Sequence, residues 1–342
     1  MRASSVASRI ALYAWSVNQP SDRQPSPGAT GPLWLLSMAR GPVTAPARVL
    51  IKMGRMAMAE MSGAVNTGPH AGLDSHRGWD YPVLATRGLE AGTVSRLARR
   101  TAAASRYLSA LFNYEPRFAL LVLGPDDWDS RSPHGVYGMP GYEQGNLLVA
   151  GTTNRFWAES LDLIKAGAPD RLPGLSAVYG SAGGEIDLTP FFDLLPVHEL
   201  AHAFVNDGPL RLPRRWLDEF ACNLLMHGYV AAEEPGQLPT LITFPAAVAA
   251  IEPPGTGYRS LADFDTHYAG NMAPWNYGWY QCRLSVAAAR VHDSAGAGAA
   301  RQLSDAFLSR TAHADDEEFS DEELVRLLDQ ADPALGDVAR SW

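Results

Sequence analysis

Residues 196–204 read PVHELAHAF. His198 and His202 flank Glu199 at a spacing of four, and four residues make about one helical turn. On a helix, positions i and i+4 share one face, so the two imidazoles are presented side by side. Two imidazoles a turn apart suit a tetrahedral zinc ion. Glu199 is one residue further on, rotated by about 100°. It points beside such an ion, where a carboxylate takes a proton from water. Val197, Leu200, Ala201 and Phe204 form the apolar stripe that buries the helix, and the histidines occupy the adjacent face. The pattern therefore predicts an amphipathic helix whose second face carries ligand types. With nine histidines in the chain, such a match arises by chance in about one sequence in a hundred.

A zinc enzyme needs a third protein ligand and an open position. A short HxxGxxH continuation is excluded, because positions 205 and 208 are Val205 and Gly208. The next candidate is RRWLDEFACNLL (214–225), which opens a new helix after a Pro-containing loop. Glu219 comes 17 positions after His202 (219 − 202), and Asp218 adjoins it. A plain core helix with the stripe Leu217, Phe220, Ala221 and Leu224 fits this stretch as well, since acids near a helix start favour its dipole in any case.

The 342 residues are enough for one large domain or two ordinary ones. Composition is that of a globular chain, 46% apolar and 19% charged. A net charge of −9 and the lack of a basic stripe with interleaved aromatics argue against nucleic-acid binding. No apolar run has the length of a membrane span. Two cysteines, Cys222 and Cys282, make neither a disulfide framework nor a zinc knuckle and suit a reducing, cytoplasmic setting. The N-terminal IALYAWSV is short, carries Tyr and Trp and lacks a small-x-small cleavage site, so it reads as leader rather than signal peptide.

Residues 1–74 are Pro-, Ser- and Gly-rich without sustained periodicity and predict a disordered leader, with order beginning near Trp79. Residues 75–208 predict an α/β upper subdomain. It comprises a helix over 93–113 interrupted by Thr101, a buried strand at 117–124, and a helix over 154–167. VYGMP (136–140) and NLLVAG (146–151) predict a hairpin around the turn GYEQG. Residues 209–342 predict an all-helical lower subdomain, with helices over 214–231, 275–293, 296–311 and 320–330 and the break near NDGPLRLP (206–213). The motif helix is predicted over 190–206. SAGAGAARQL (294–303) follows a predicted helix, not a strand, so it is no dinucleotide fingerprint. DDEEFSDEEL (315–324) holds a capping box, Ser320 with Glu323, and lacks the glycine and spacing of a calcium loop.

HELAH followed by WLDEFA resembles the gluzincin metallopeptidases, including the thermolysin-like and aminopeptidase N-like groups. In that family the second motif reads close to W-L-N-E-G-F-A and its Glu is the third zinc ligand. Here Asp218 stands in place of the Asn, the following Gly is absent and the gap between motifs is shorter, so Asp218 stays open beside Glu219 as third ligand. The resemblance implies an α+β, zincin-like fold: a mixed α/β upper part with a twisted sheet over the HExxH helix, then an all-α lower part. It implies Zn2+ held by His198, His202 and Glu219, with Glu199 as general base for hydrolysis of a peptide or protein by zinc-activated water. For the oxyanion it implies a Tyr or His donor from the lower part, with Tyr277 the first choice among His267, Tyr268, Tyr277 and Tyr280. Asp218 and Asn223 are candidates to orient a ligand. AGGEID (182–187) lacks the Met and Asn that accompany the amine-binding Glu of the aminopeptidases. The competing reading is a non-catalytic zinc-binding or regulatory protein on the same scaffold.

Overall fold

The computed structural model describes residues 65–132, 136–208, 210, 212–253, 257–268, 272–311 and 320–342. The leader expected over 1–74 lies outside the described residues as far as position 64, and residues 65–74 already belong to the fold. A 3-10 turn at Gly68–His70 leads to strand β1 (Asp74–His76), and His70 Nε2 lies 2.7 Å from Asn146 Oδ1. Polar composition hid this segment, because β1 is an edge strand with little buried surface.

Strand β2 (Val83–Ala85) is followed by helix α1 (Ala91–Phe112) and strand β3 (Ala119–Leu123). Val94, Leu97, Ala98, Ala104 and Leu108 form the buried stripe of α1 with Leu111 half-buried at its end, and the buried Thr101 hydroxyl donates to Leu97 O at 2.9 Å, which satisfies the one polar interruption. The short helix α2 (Pro125–Trp128) then leads to β4 (Gly141–Glu143) and β5 (Asn146–Ala150). The hairpin lies later than its expected position. Gln144 (φ 47°) and Gly145 (φ 79°) both take left-handed conformations, which makes a two-residue turn matched to strand twist. GYE is therefore the first strand rather than part of the turn, while Val136–Met139 forms a separate turn.

The five strands form one mixed sheet in the order β1-β2-β3-β5-β4. β2, β3 and β5 run parallel, with β1 and β4 antiparallel at the edges. The parallel β2–β3 pair needs a crossover, and α1 provides it. Every β3 residue is buried, and its side chains alternate between two clusters. Leu120 and Val122 face the main core, while Leu121 and Leu123 pack with Trp128 on the other face.

Helices α3 (Arg155–Gly167), α4 (Leu172–Tyr179) and α5 (Thr189–Phe192) precede the motif helix α6 (Leu195–Val205). The single helix expected over 190–206 is thus divided, because Pro196 belongs in a first turn, where its missing N–H costs nothing. After α6 come α7 (Arg215–Glu233), α8 (Leu238–Ala249), α9 (Leu261–His267) and α10 (Pro274–Ala295). The chain ends with α11 (Ala299–Thr311), α12 (Asp321–Ala331) and α13 (Pro333–Arg340). Ser320 caps α12 in the capping box read from the sequence. Helices α8 and α9 fall where no helix is predicted; Pro239 and Pro245 in α8 obscure its pattern.

The fold is α+β, largely helical with one small mixed sheet. Residues 206–213 connect the sheet-bearing part to the helical part, and one core cluster runs through both, from Leu120 and Val149 to Phe204, Leu224, Leu284 and Leu328. No helix among the described residues is long and apolar enough to cross a membrane.

One cluster of charges ties these parts together. Arg100 of α1 grips the Glu234 carboxylate with Nε and Nη2 (2.9 and 2.7 Å) just past α7, and its Nη1 donates to Asp193 O just before α6. Burial opposes the charge on Glu234, but hydrogen bonds from Arg100 and Tyr229 hold its carboxyl below the ordinary 4.5. A carboxylate with a lowered pKa stabilises the fold above its unfolded value, and that contribution is lost as pH falls through the folded value. Glu234→Gln is expected to cost about 1–3 kcal/mol at pH 7, from loss of the charge-assisted pair. Urea unfolding followed by circular dichroism measures the difference, which shrinks as the pH falls below about 4.5. A pH-independent difference would contradict this assignment.

Candidate metal centre

Helix α6 does not present one face to solvent. All residues from Pro196 to Val205 are buried, because the helix runs between the sheet and α7. His198, Glu199 and His202 are 4%, 7% and 7% exposed, so the expected ligand face lies inside the protein. Buried imidazoles and carboxylates need partners, and α7 supplies the main one.

Glu219 is 1% exposed, and its carboxylate converges on both histidines. Oε2 lies 3.1 Å from His198 Nε2 and 3.5 Å from His202 Nε2. A tetrahedral zinc site with bonds near 2.0–2.1 Å has neighbouring ligand atoms about 3.3 Å apart. Both nitrogen–oxygen distances already stand close to that spacing, the three donor atoms lie within 4.8 Å of one another, all three residues are buried, and two imidazoles with one carboxylate are ligands zinc accepts. The residues fit the ion. Holding it through His202 Nε2 requires the proton on Nδ1, where Cys222 Sγ stands to accept it at 3.3 Å. Asn206 Nδ2, a donor, lies 3.4 Å from the same nitrogen. Burial pushes the Cys222 thiol up to about 12, so the sulfur is neutral there.

Asp218 does not join the cluster. One helix step turns it toward Arg215, whose Nη1 lies 3.6 Å from Asp218 Oδ2. Burial pushes the Asp218 carboxyl up to about 7 against the pull of Arg215. Of the two acids, Glu219 is the one that reaches the imidazoles.

The Glu219 carboxylate is saturated with donors. Tyr268 OH donates to Oε1 at 2.6 Å, and Gln281 Nε2 donates to Oε2 at 2.7 Å. Burial opposes its charge, but the His202 charge and hydrogen bonds from His198 and His202 hold its carboxyl well below the usual range. Asn223, one turn along α7, donates to Glu219 O at 2.9 Å and to Gln281 Oε1 at 3.1 Å, which fixes the Gln281 amide.

Of the residues considered as oxyanion donors, Tyr268 and Tyr277 are here. Tyr277 OH accepts from Gln281 Nε2 at 2.8 Å. The Glu219 charge and then burial raise the Tyr268 hydroxyl, burial and then the Glu219 charge raise that of Tyr277, and the Glu199 charge acts on both. Both hydroxyls therefore keep their protons. His267 instead stacks on Tyr258, with ring centroids 3.9 Å apart, and Tyr280 OH donates to Ser260 O at 2.8 Å. The sequence reading missed Gln281, Cys222 and Asn206. Asn206 is one turn from His202 and Gln281 one turn from Tyr277, a faint helical signal with no motif around it.

A scan against protein-family models found no match, and searches of curated proteins and of solved structures found none either.

Tyr268→Phe removes the only side-chain hydroxyl described on Glu219 Oε1 and is expected to weaken zinc binding about 10–100-fold. Tyr277→Phe, whose hydroxyl touches Gln281 and not Glu219, is expected to leave zinc affinity within about twofold of the parent. Competition with a chromophoric chelator measures both. Equal effects from the two substitutions would contradict the network.

Proposed function

We propose that this chain is a zinc-dependent metallopeptidase of the gluzincin type, with a zincin-like fold. The observation that carries the reading is the convergence of the buried Glu219 carboxylate on His198 and His202, with Glu199 next to His198 on the same helix. A zinc ion held by His198, His202 and Glu219 would polarise a substrate carbonyl and acidify a water.

The chain's own residues supply the rest. Glu199 is the general base: it takes a proton from the attacking water and delivers it to the leaving amine. Tyr277 OH accepts from Gln281, and no described hydrogen bond uses its own proton, so that proton is free to meet a developing oxyanion. Tyr268 spends its proton on Glu219 and acts as a positioning residue. Strand β4 is one of the two edge strands of the sheet and packs against α6, so an extended peptide added along it lies over the motif helix. This favours a peptide or protein substrate. Cys222 and Cys282 are both free and buried, in keeping with the cytoplasm as the compartment we propose.

Glu199→Gln tests the reading. The variant is expected to keep its zinc and to lose about 10²–10⁴-fold in hydrolysis of a proteome-derived peptide library, read by mass spectrometry. Chelation of the parent is expected to abolish the same cleavages, and added zinc to restore them. Cleavage that survives both the substitution and the chelator would overturn the proposal.

A further inference from the structure

Helix α7 carries a second histidine that the proposed chemistry does not use. His227 is two turns beyond Glu219 and 3% exposed. Facing it from the last turns of α10 are His292 and Asp293. The His227 and His292 rings lie with centroids 4.7 Å apart at 53°. One ligand atom from each of His227, His292 and Asp293 lies within 4.8 Å of the other two. His292 Nε2 is buried and meets no hydrogen-bond partner. A buried imidazole nitrogen without a partner is costly, and a cation removes that cost by accepting its lone pair.

The surroundings favour a positive ion. The cluster lies in the last turns of α10, where unsatisfied carbonyls give the helix end a partial negative charge. Gly296, at φ 75°, ends the helix immediately afterwards, with its N–H on His292 O. Two imidazoles and a carboxylate are borderline ligands, suited to zinc and its first-row neighbours rather than to calcium or magnesium. The half-exposed His292 and exposed Asp293 leave the site reachable from solvent. His227 is eight residues from Glu219 on one helix, about 12 Å along its axis. That is far beyond the separation of about 3.5–4 Å in paired-metal sites, so this ion is not a partner of the first.

We propose that His227, His292 and Asp293 form a second, independent site for a zinc-class divalent cation, a clip between α7 and α10. The clip joins the helix bearing Glu219 to the one bearing Tyr277 and Gln281. Glu219 meets Gln281 near one end of this helix pair, and His227 meets His292 near the other. A bound ion there fixes the axial register of the two helices on which the Glu219 network depends.

The test is zinc stoichiometry of the full chain after dialysis, measured by mass spectrometry of the metal, with thermal melting alongside. His292→Ala is expected to lose one equivalent of zinc relative to the parent and to lose a zinc-induced rise in Tm. Asp293→Asn, at an exposed position, is expected to weaken the same equivalent at least tenfold. Glu219→Gln separates this site from the proposed active centre. That variant is expected to retain the equivalent that His292→Ala removes, whether or not the chain hydrolyses peptides. Unchanged zinc content and unchanged zinc-dependent melting in His292→Ala and Asp293→Asn would overturn the proposal.

Discussion

A carboxylate ionised in the protein interior constrains everything around it. Glu219 is almost wholly enclosed, and an isolated buried charge of this kind would protonate rather than persist. It stays ionised because two imidazoles, a tyrosine hydroxyl and a glutamine amide converge on its two oxygens. Those four partners come from α6, the residue after α9, and α10, so satisfying one charge ties these elements to α7. The arrangement is also one that a tetrahedral cation enters with little movement, since the nitrogen–oxygen spacings are near those of a bound ion.

The sheet contributes support rather than chemistry. Its core-facing side chains and α1 hold one side of α6, and α7 holds the other, which is why a helix with two histidines and a glutamate has no exposed face. Arg100 reinforces the same joint from α1. It reaches the backbone before α6 and the carboxylate after α7, so the two motif helices share an anchor outside the site. Rigid support of this kind keeps ligating side chains in one geometry. The same α7–α10 pairing brings His227 to His292 at its far end, so the register that serves Glu219 also creates the second histidine cluster.

Legibility differed from element to element for physical reasons. Helices α1, α6, α7 and α10 carry strong apolar periodicity, and their existence follows from it. Strand β3 declares itself as a continuous apolar run between polar flanks. β1 and β2 are three residues each and too short for a periodic signal. The hairpin was displaced because a non-glycine residue, Gln144, adopts the left-handed conformation that the turn requires. Helix α8 begins at Leu238-Pro239 and contains Pro245, two features that ordinarily mark an ending.

Local sequence determined that His198, Glu199 and His202 share one helix and that an acid waits at the start of the next, because helical phase is a property of nearby residues alone. It favoured Glu219 while leaving Asp218 open, and it chose Tyr277 among several aromatic residues without seeing that Tyr268 touches Glu219. Those points turn on how α6, α7 and α10 cross, which depends on contacts between residues up to 62 positions apart. One helix step, about 100°, directs Glu219 to the imidazoles and Asp218 to Arg215. Only the tertiary structure sets the direction from which the imidazoles approach, and so decides between them.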